Sequence, residues 1–159
     1  ESNKPGRGLL KPAGKFMSFL KPLFALENKL QAQLLGAEPE DFVAAKKEIE
    51  ETIANNHVIV YTYGLSPFST QAMALLRDAG CIDAKQVELE SEWFLLGKEA
   101  STTRAELLDM TGQSSLPNVF IGGKHIGGIF SGEPGLAALQ ESGKLREMLV
   151  NEKSAEIAV

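Results

Sequence analysis

One stretch limits what this chain can become more than any other, and it runs His57-Val58-Ile59-Val60-Tyr61-Thr62-Tyr63-Gly64-Leu65-Ser66-Pro67-Phe68-Ser69-Thr70-Gln71-Ala72-Met73-Ala74-Leu75-Leu76. Its first half is β-branched and aromatic, which suits a buried strand. Gly64 offers a turn. After it, Phe68, Ala72, Leu75, Leu76 and Ala79 recur at helical spacing. Ser66 is placed to cap that helix, Pro67 to occupy its first position and Gly80 to end it. A strand that feeds a helix through a tight turn presents unpaired N–H groups and positive potential, and α/β folds place chemistry there.

A second block, Thr111–Gly128, reads as a hairpin: strands Asn118–Ile121 and Lys124–Ile126 joined by Gly122-Gly123. Between the two blocks, Gln86–Glu90 alternates as a strand does, and a helix is predicted over Thr102–Thr111 with Ala105, Leu107 and Leu108 facing inward. Upstream, Pro39–Asn55 has Phe42, Ala45, Ile49 and Ile53 at helical spacing behind an acidic first turn. A shorter helix is expected from Pro22, with Leu23, Leu26, Leu30 and Leu34 on one stripe and Gly36 at its end. Leu136–Ser142 and Lys144–Val150 read as closing helices, with Asn151–Val159 as a tail. Trp93, Phe94, Leu95 and Leu96 form an apolar cluster in a connection, which predicts either a loop folded onto the body or a contact patch.

Taken together, the Ser66–Ser69 junction and the Thr111–Gly128 run resemble the glutaredoxin branch of the thioredoxin superfamily, over about residues 57–150. The resemblance implies an α/β, thioredoxin-like fold: a four-stranded mixed sheet flanked by helices, to which this chain adds an N-terminal arm and an extra helix. It also implies a cis peptide before Pro117, which stands where the family has Thr-Val-Pro. The family's redox centre is Cys-Pro-Tyr-Cys, whereas this chain reads Ser66-Pro67-Phe68-Ser69. A serine hydroxyl has a far higher pKa than a cysteine thiol and cannot exchange disulfides, so the expectation is a pseudoenzyme with no catalytic residues.

By the same resemblance the former glutathione groove involves Tyr63, Gln113, Leu116, Pro117, Gly128 and Phe130. Tyr63 replaces the usual lysine, Ser114 the usual arginine of a Gln-Arg pair, and no aspartate follows Gly127-Gly128. Two missing charge contacts of about 1–3 kcal/mol each would cost about two orders of magnitude in affinity. No glutathione, cofactor or metal is therefore expected. The family's iron–sulfur binding, which needs the first cysteine, is lost with it. Bulky Tyr63, Phe68, Ile129 and Phe130 would either seal the old groove or make it an apolar dock.

Composition narrows the rest. Cys81 is the sole cysteine, which rules out an internal disulfide or a cysteine-cluster metal site. With only His57 and His125 in the chain, a serine-hydrolase use of Ser66 has no base to draw on. A net charge of −5 argues against nucleic-acid binding by the body, and no apolar run is long enough to span a membrane. Residues 1–30 nevertheless carry +4, which leaves −9 for residues 31–159.

The basic, Gly/Pro-rich arm suggests a partner, with Lys4, Arg7, Lys11, Lys15, Phe16, Phe19 and Lys21 as its candidate contacts. The division expected is a partner-binding segment 1–36, a glutaredoxin-like domain 37–151 and a tail 152–159. The function expected is a redox-inactive accessory subunit of a larger, membrane-bound organellar complex, with plastid stroma ahead of the mitochondrial matrix. The partners would be its protein subunits, held through residues 1–36 and a second contact at Trp93–Leu96. Two alternatives stand beside it: an active glutaredoxin whose cysteines were replaced, and a peptide or small-ligand module using the former groove.

Overall fold

Val58–Thr62 forms β1, and all five residues are buried because helices cover both faces of this strand. The structure is a computed structural model and describes residues 26–90 and 97–156. The described residues open with a helix over 26–34 (α1), then α2 (Pro39–Asn55), β1, α3 (Pro67–Asp78) and β2 (Lys85–Glu88). It continues through α4 (Lys98–Thr111), the hairpin β3 (Asn118–Ile121) and β4 (Lys124–Gly127), then α5 (Leu136–Glu141) and α6 (Lys144–Glu156). The sheet order is β2-β1-β3-β4. β1 pairs parallel with β2, which requires the α3 crossover, and antiparallel with β3. This is the four-stranded mixed sheet flanked by helices that the resemblance implies.

Alternation along β1 divides the core. Val58 and Val60 join Val119, Ile121 and Ile126 against Ala72 and Leu76 of α3 and the leucines of α5 and α6. Cys81 lies in that layer, buried just past the end of α3, with its Sγ 3.6 Å from Asp83 Oδ1. Ile59, Tyr61 and Phe120 face the other way, onto Ile49 of α2 and Leu107 of α4. Tyr61 and Phe120 meet edge to face at 6.2 Å. Lys98 at the start of α4 clamps Asp41 at the start of α2 at 3.2 Å.

Several boundaries differ from the sequence reading. α4 begins at Lys98 rather than Thr102, because Gly97 supplies the extended N-cap and Thr102 folds its hydroxyl back onto the Lys98 carbonyl at 2.6 Å. α6 runs on to Glu156 where a tail was expected from Asn151. The leucine stripe of α1, whose direction the sequence left open, faces solvent: Leu26, Leu30 and Leu34 are 65%, 52% and 81% exposed, while Asn28 and Ala32 turn inward. The peptide before Pro117 is cis, and so is the one before Pro134, which nothing in the sequence announced.

The expectation of a membrane-bound complex is overturned. Among the described residues no helix is long and apolar enough to cross a membrane. The longest, α2, has 17 residues and is studded with Lys46, Lys47, Glu48, Glu50 and Glu51. The expected contacts at Lys4, Arg7, Lys11, Lys15, Phe16, Phe19 and Lys21, and the patch Trp93–Leu96, lie outside the described residues.

Candidate functional site

The turn between β1 and α3 consumes both of its serines in backbone hydrogen bonding. Ser66 is extended (φ −78°, ψ 120°), and its Oγ accepts the Ser69 N–H at 3.3 Å, so it caps α3 as the sequence suggested. Ser69 is buried, and its Oγ accepts the N–H of Tyr63 at 3.3 Å across the turn. That second bond was not legible in the sequence, since it joins residues six apart through the curvature of the turn. Among the described residues no histidine lies beside either hydroxyl. His57 precedes β1 and so sits at the end of the strand remote from the turn, about 15–20 Å away at 3.3 Å per residue. His125 lies on β4, its ring 5.2 Å from Phe120. The arrangement can hold a helix end in place; it offers no thiolate and no activated oxygen.

Tyr63 is buried, its ring against Ala100 of α4 and against Leu89 and Leu116. Burial raises its phenol pKa, opposed by the nearby positive charge of Arg104. Arg104 was not singled out in the sequence. Its Nε donates to the Ser114 carbonyl at 3.2 Å, so it ties α4 to the loop before Pro117. The available signal was its position four residues after Ala100, which puts it on the same face of α4.

Gln113, Pro117 and Gly128 are brought together. Gln113 Nε2 donates to the carbonyls of Ser115 (3.0 Å) and Pro117 (3.2 Å), so its amide serves its own loop. A Cβ on Gly128 would meet the Pro117 carbonyl at 3.1 Å and Ser131 Oγ at 2.8 Å, so a side chain here would require both neighbours to shift. Leu116, half-buried, touches Tyr63 and links the two groups. Phe130 is 75% exposed and joins neither; Phe68 and Leu65 on the turn are 56% and 68% exposed. Of the four bulky groups expected around the old groove, Tyr63 and Ile129 are buried, whereas Phe68 and Phe130 project into solvent. Among the described residues no group of three His, Cys, Asp or Glu is placed to hold a metal ion.

Comparison with known proteins agrees with this architecture. The glutaredoxin family profile matches residues 58–126. A monothiol glutaredoxin-S10 from Oryza sativa subsp. japonica is 31% identical over 124 residues, covering 77% of this chain and 70% of that protein. Monothiol glutaredoxin-S12, chloroplastic, from Arabidopsis thaliana is 39% identical over 83 residues, 52% of this chain and 44% of that protein. The crystal structure of a buckwheat glutaredoxin–glutathione complex superposes with a TM-score of 0.64 at 28% identity, covering 74% of this chain and 97% of that one.

Proposed function

We propose a protein-holding role for this chain, on the premise that it belongs to the glutaredoxin family and is a pseudoenzyme within it. With Cys81 as its only cysteine, the chain has no thiol pair at the family's redox junction. Ser66 and Ser69 stand there, tied into the turn. The residues present do not fit glutathione or a thiolate-held cluster. Tyr63, in place of the usual lysine, is a buried apolar contact, Gln113 spends its amide on its own loop, and Phe130 stands exposed after the paired glycines. Among the described residues Arg104 is the cation that acts on Tyr63, and it is engaged with Ser114.

The observation that carries the protein-holding reading is α1. It turns Leu26, Leu30 and Leu34 outward and packs on the body through Asn28 and Ala32. Apolar residues spaced by four on the solvent side of a helix form a stripe that a partner's groove can bury, at about 1.5–3 kcal/mol per leucine. Within the proposed division, this stripe belongs to the partner-binding segment 1–36. The compartment proposed is the plastid stroma, on the support of the chloroplastic relative's name.

The test compares the native size of the intact chain with that of a Leu30→Glu/Leu34→Glu variant in extracts of the source, after circular dichroism has shown both folded. The intact chain is expected in a larger species and the variant alone; equal migration as monomers overturns the reading. A second test restores Ser66→Cys and Ser69→Cys together. Turnover in a glutathione-coupled disulfide reduction assay is expected to stay absent, because the groove lacks its charge contacts as well as its thiols. Vigorous turnover would instead show a groove intact but for sulfur.

A further inference from the structure

β2 is an edge strand of the sheet among the described residues. β2 pairs with β1 alone, and among the described residues nothing pairs with its other edge. Beside that edge, between α2 and α4, lies a cleft of about 510 Å³ with an apolar floor of Ile49, Tyr61, Val87, Leu89 and Ala100. Its rim carries Glu48, Glu88, Glu90 and Glu99 against the single cation Lys85. None of the four carboxylates has an ion-pair partner among the described residues, where the pairs are Lys47–Glu51 and Lys98–Asp41. An unpaired strand edge, an apolar floor and an unneutralised acidic rim together call for an extended, basic segment with apolar side chains.

Such a segment exists in the same chain. Residues 1–25 hold five cations against Glu1, and within them Lys15-Phe16-Met17-Ser18-Phe19-Leu20-Lys21 is an apolar run bracketed by lysines. We infer that this cleft is the docking site for the chain's own residues 15–21, extended so that Lys15, Met17, Phe19 and Lys21 share one face, with Met17 and Phe19 toward the apolar floor and the two lysines toward the rim carboxylates. The point of attachment favours it: the charge of Lys29 on α1 is near enough to act on Glu106 of α4, the helix that also supplies Glu99 and Ala100 to the cleft. A covalent tether makes docking intramolecular, at an effective concentration of about millimolar, ahead of any separate basic peptide. The inference is independent of the α1 contact proposed above, which lies on the outward leucines.

The experiment uses the intact chain, mixed equally as unlabelled and ¹⁵N-labelled protein, treated with a zero-length carbodiimide and read by mass spectrometry. Lys15 or Lys21 should couple to Glu48, Glu88, Glu90 or Glu99 within one chain, and the yield should fall at least tenfold in 1 M salt. In parallel, Lys15→Glu/Lys21→Glu should speed amide exchange in β2 at least tenfold while leaving that of β1 and β3 unchanged. Three results overturn the inference: coupling of these lysines to other carboxylates, coupling between labelled and unlabelled chains, or β2 exchange indifferent to the charge reversal.

Discussion

The turn at 63–69 and the loops at 113–132 meet where Tyr63 packs on Leu116, yet they differ in how much freedom the fold leaves them. At the turn, the side chains at 66 and 69 need only accept one N–H each, and serine does that as well as the backbone requires. At the loops, Gly127 and Gly132 touch backbone to backbone: a Cβ on Gly132 would lie 2.5 Å from the Gly127 Cα and 2.8 Å from the Ile126 carbonyl, at φ +99°. One region was shaped by chemistry, which can be removed without disturbing the chain path. The other is shaped by close approach, which cannot. A family resemblance can therefore stay sharp in its glycines and prolines after the reaction has gone.

The comparison breaks first if Gly132→Ala is tolerated. A positive φ and backbone overlap together should cost about 3 kcal/mol or more, seen as a large drop in the urea midpoint or a failure to fold. Ser69→Ala comes next, because it strands the buried Tyr63 N–H; a loss of about 1–3 kcal/mol by urea unfolding is expected. Ser66→Ala removes a half-exposed cap and should cost about 1 kcal/mol, with Ser66→Gly recovering most of it.

The smallest effect concerns pH. Burial lowers the pKa of His125 from 6.5, and its Nε2 is buried without a hydrogen-bond partner. The unfolded chain then takes up a proton before the folded one does. The stabilising contribution is complete above pH 6.5 and is lost as pH falls through the lowered folded value. Urea midpoints at pH 7.5 and 5.5 should differ less in His125→Gln than in the parent chain. No histidine belongs to the turn, so a Ser66 or Ser69 variant should leave that difference as it was.

Much of this was readable from residue order, and the limits have physical causes. Strand β1, the Ser66 cap and the 122–123 hairpin turn follow from local propensity and were legible. The identity of the family rested on two short blocks, which carry backbone demands that few other sequences meet. What could not be read were contacts between distant segments: Ser69 to Tyr63, Arg104 to Ser114, and the internal use of the Gln113 amide. The direction in which the leucines of α1 face was illegible for a related reason. A periodic stripe shows that a helix has an apolar face but not which side the body will cover, and here the small residues Asn28 and Ala32 permit the closer approach. At α4, the first turn was missed because Ser101, Thr102 and Thr103 favour non-helical positions until Gly97 and the Lys98 clamp fix the start.

With serine at both of the family's cysteine positions, Cys81, 7% exposed and lodged in the layer between α3 and the sheet, is the lone thiol of this chain. Its alkylation by an excess of thiol reagent is thus a single-site clock. Each labelling event records one opening of that layer, undiluted by reactive cysteines elsewhere, and the rate extrapolated to zero denaturant reports how often the native body comes apart.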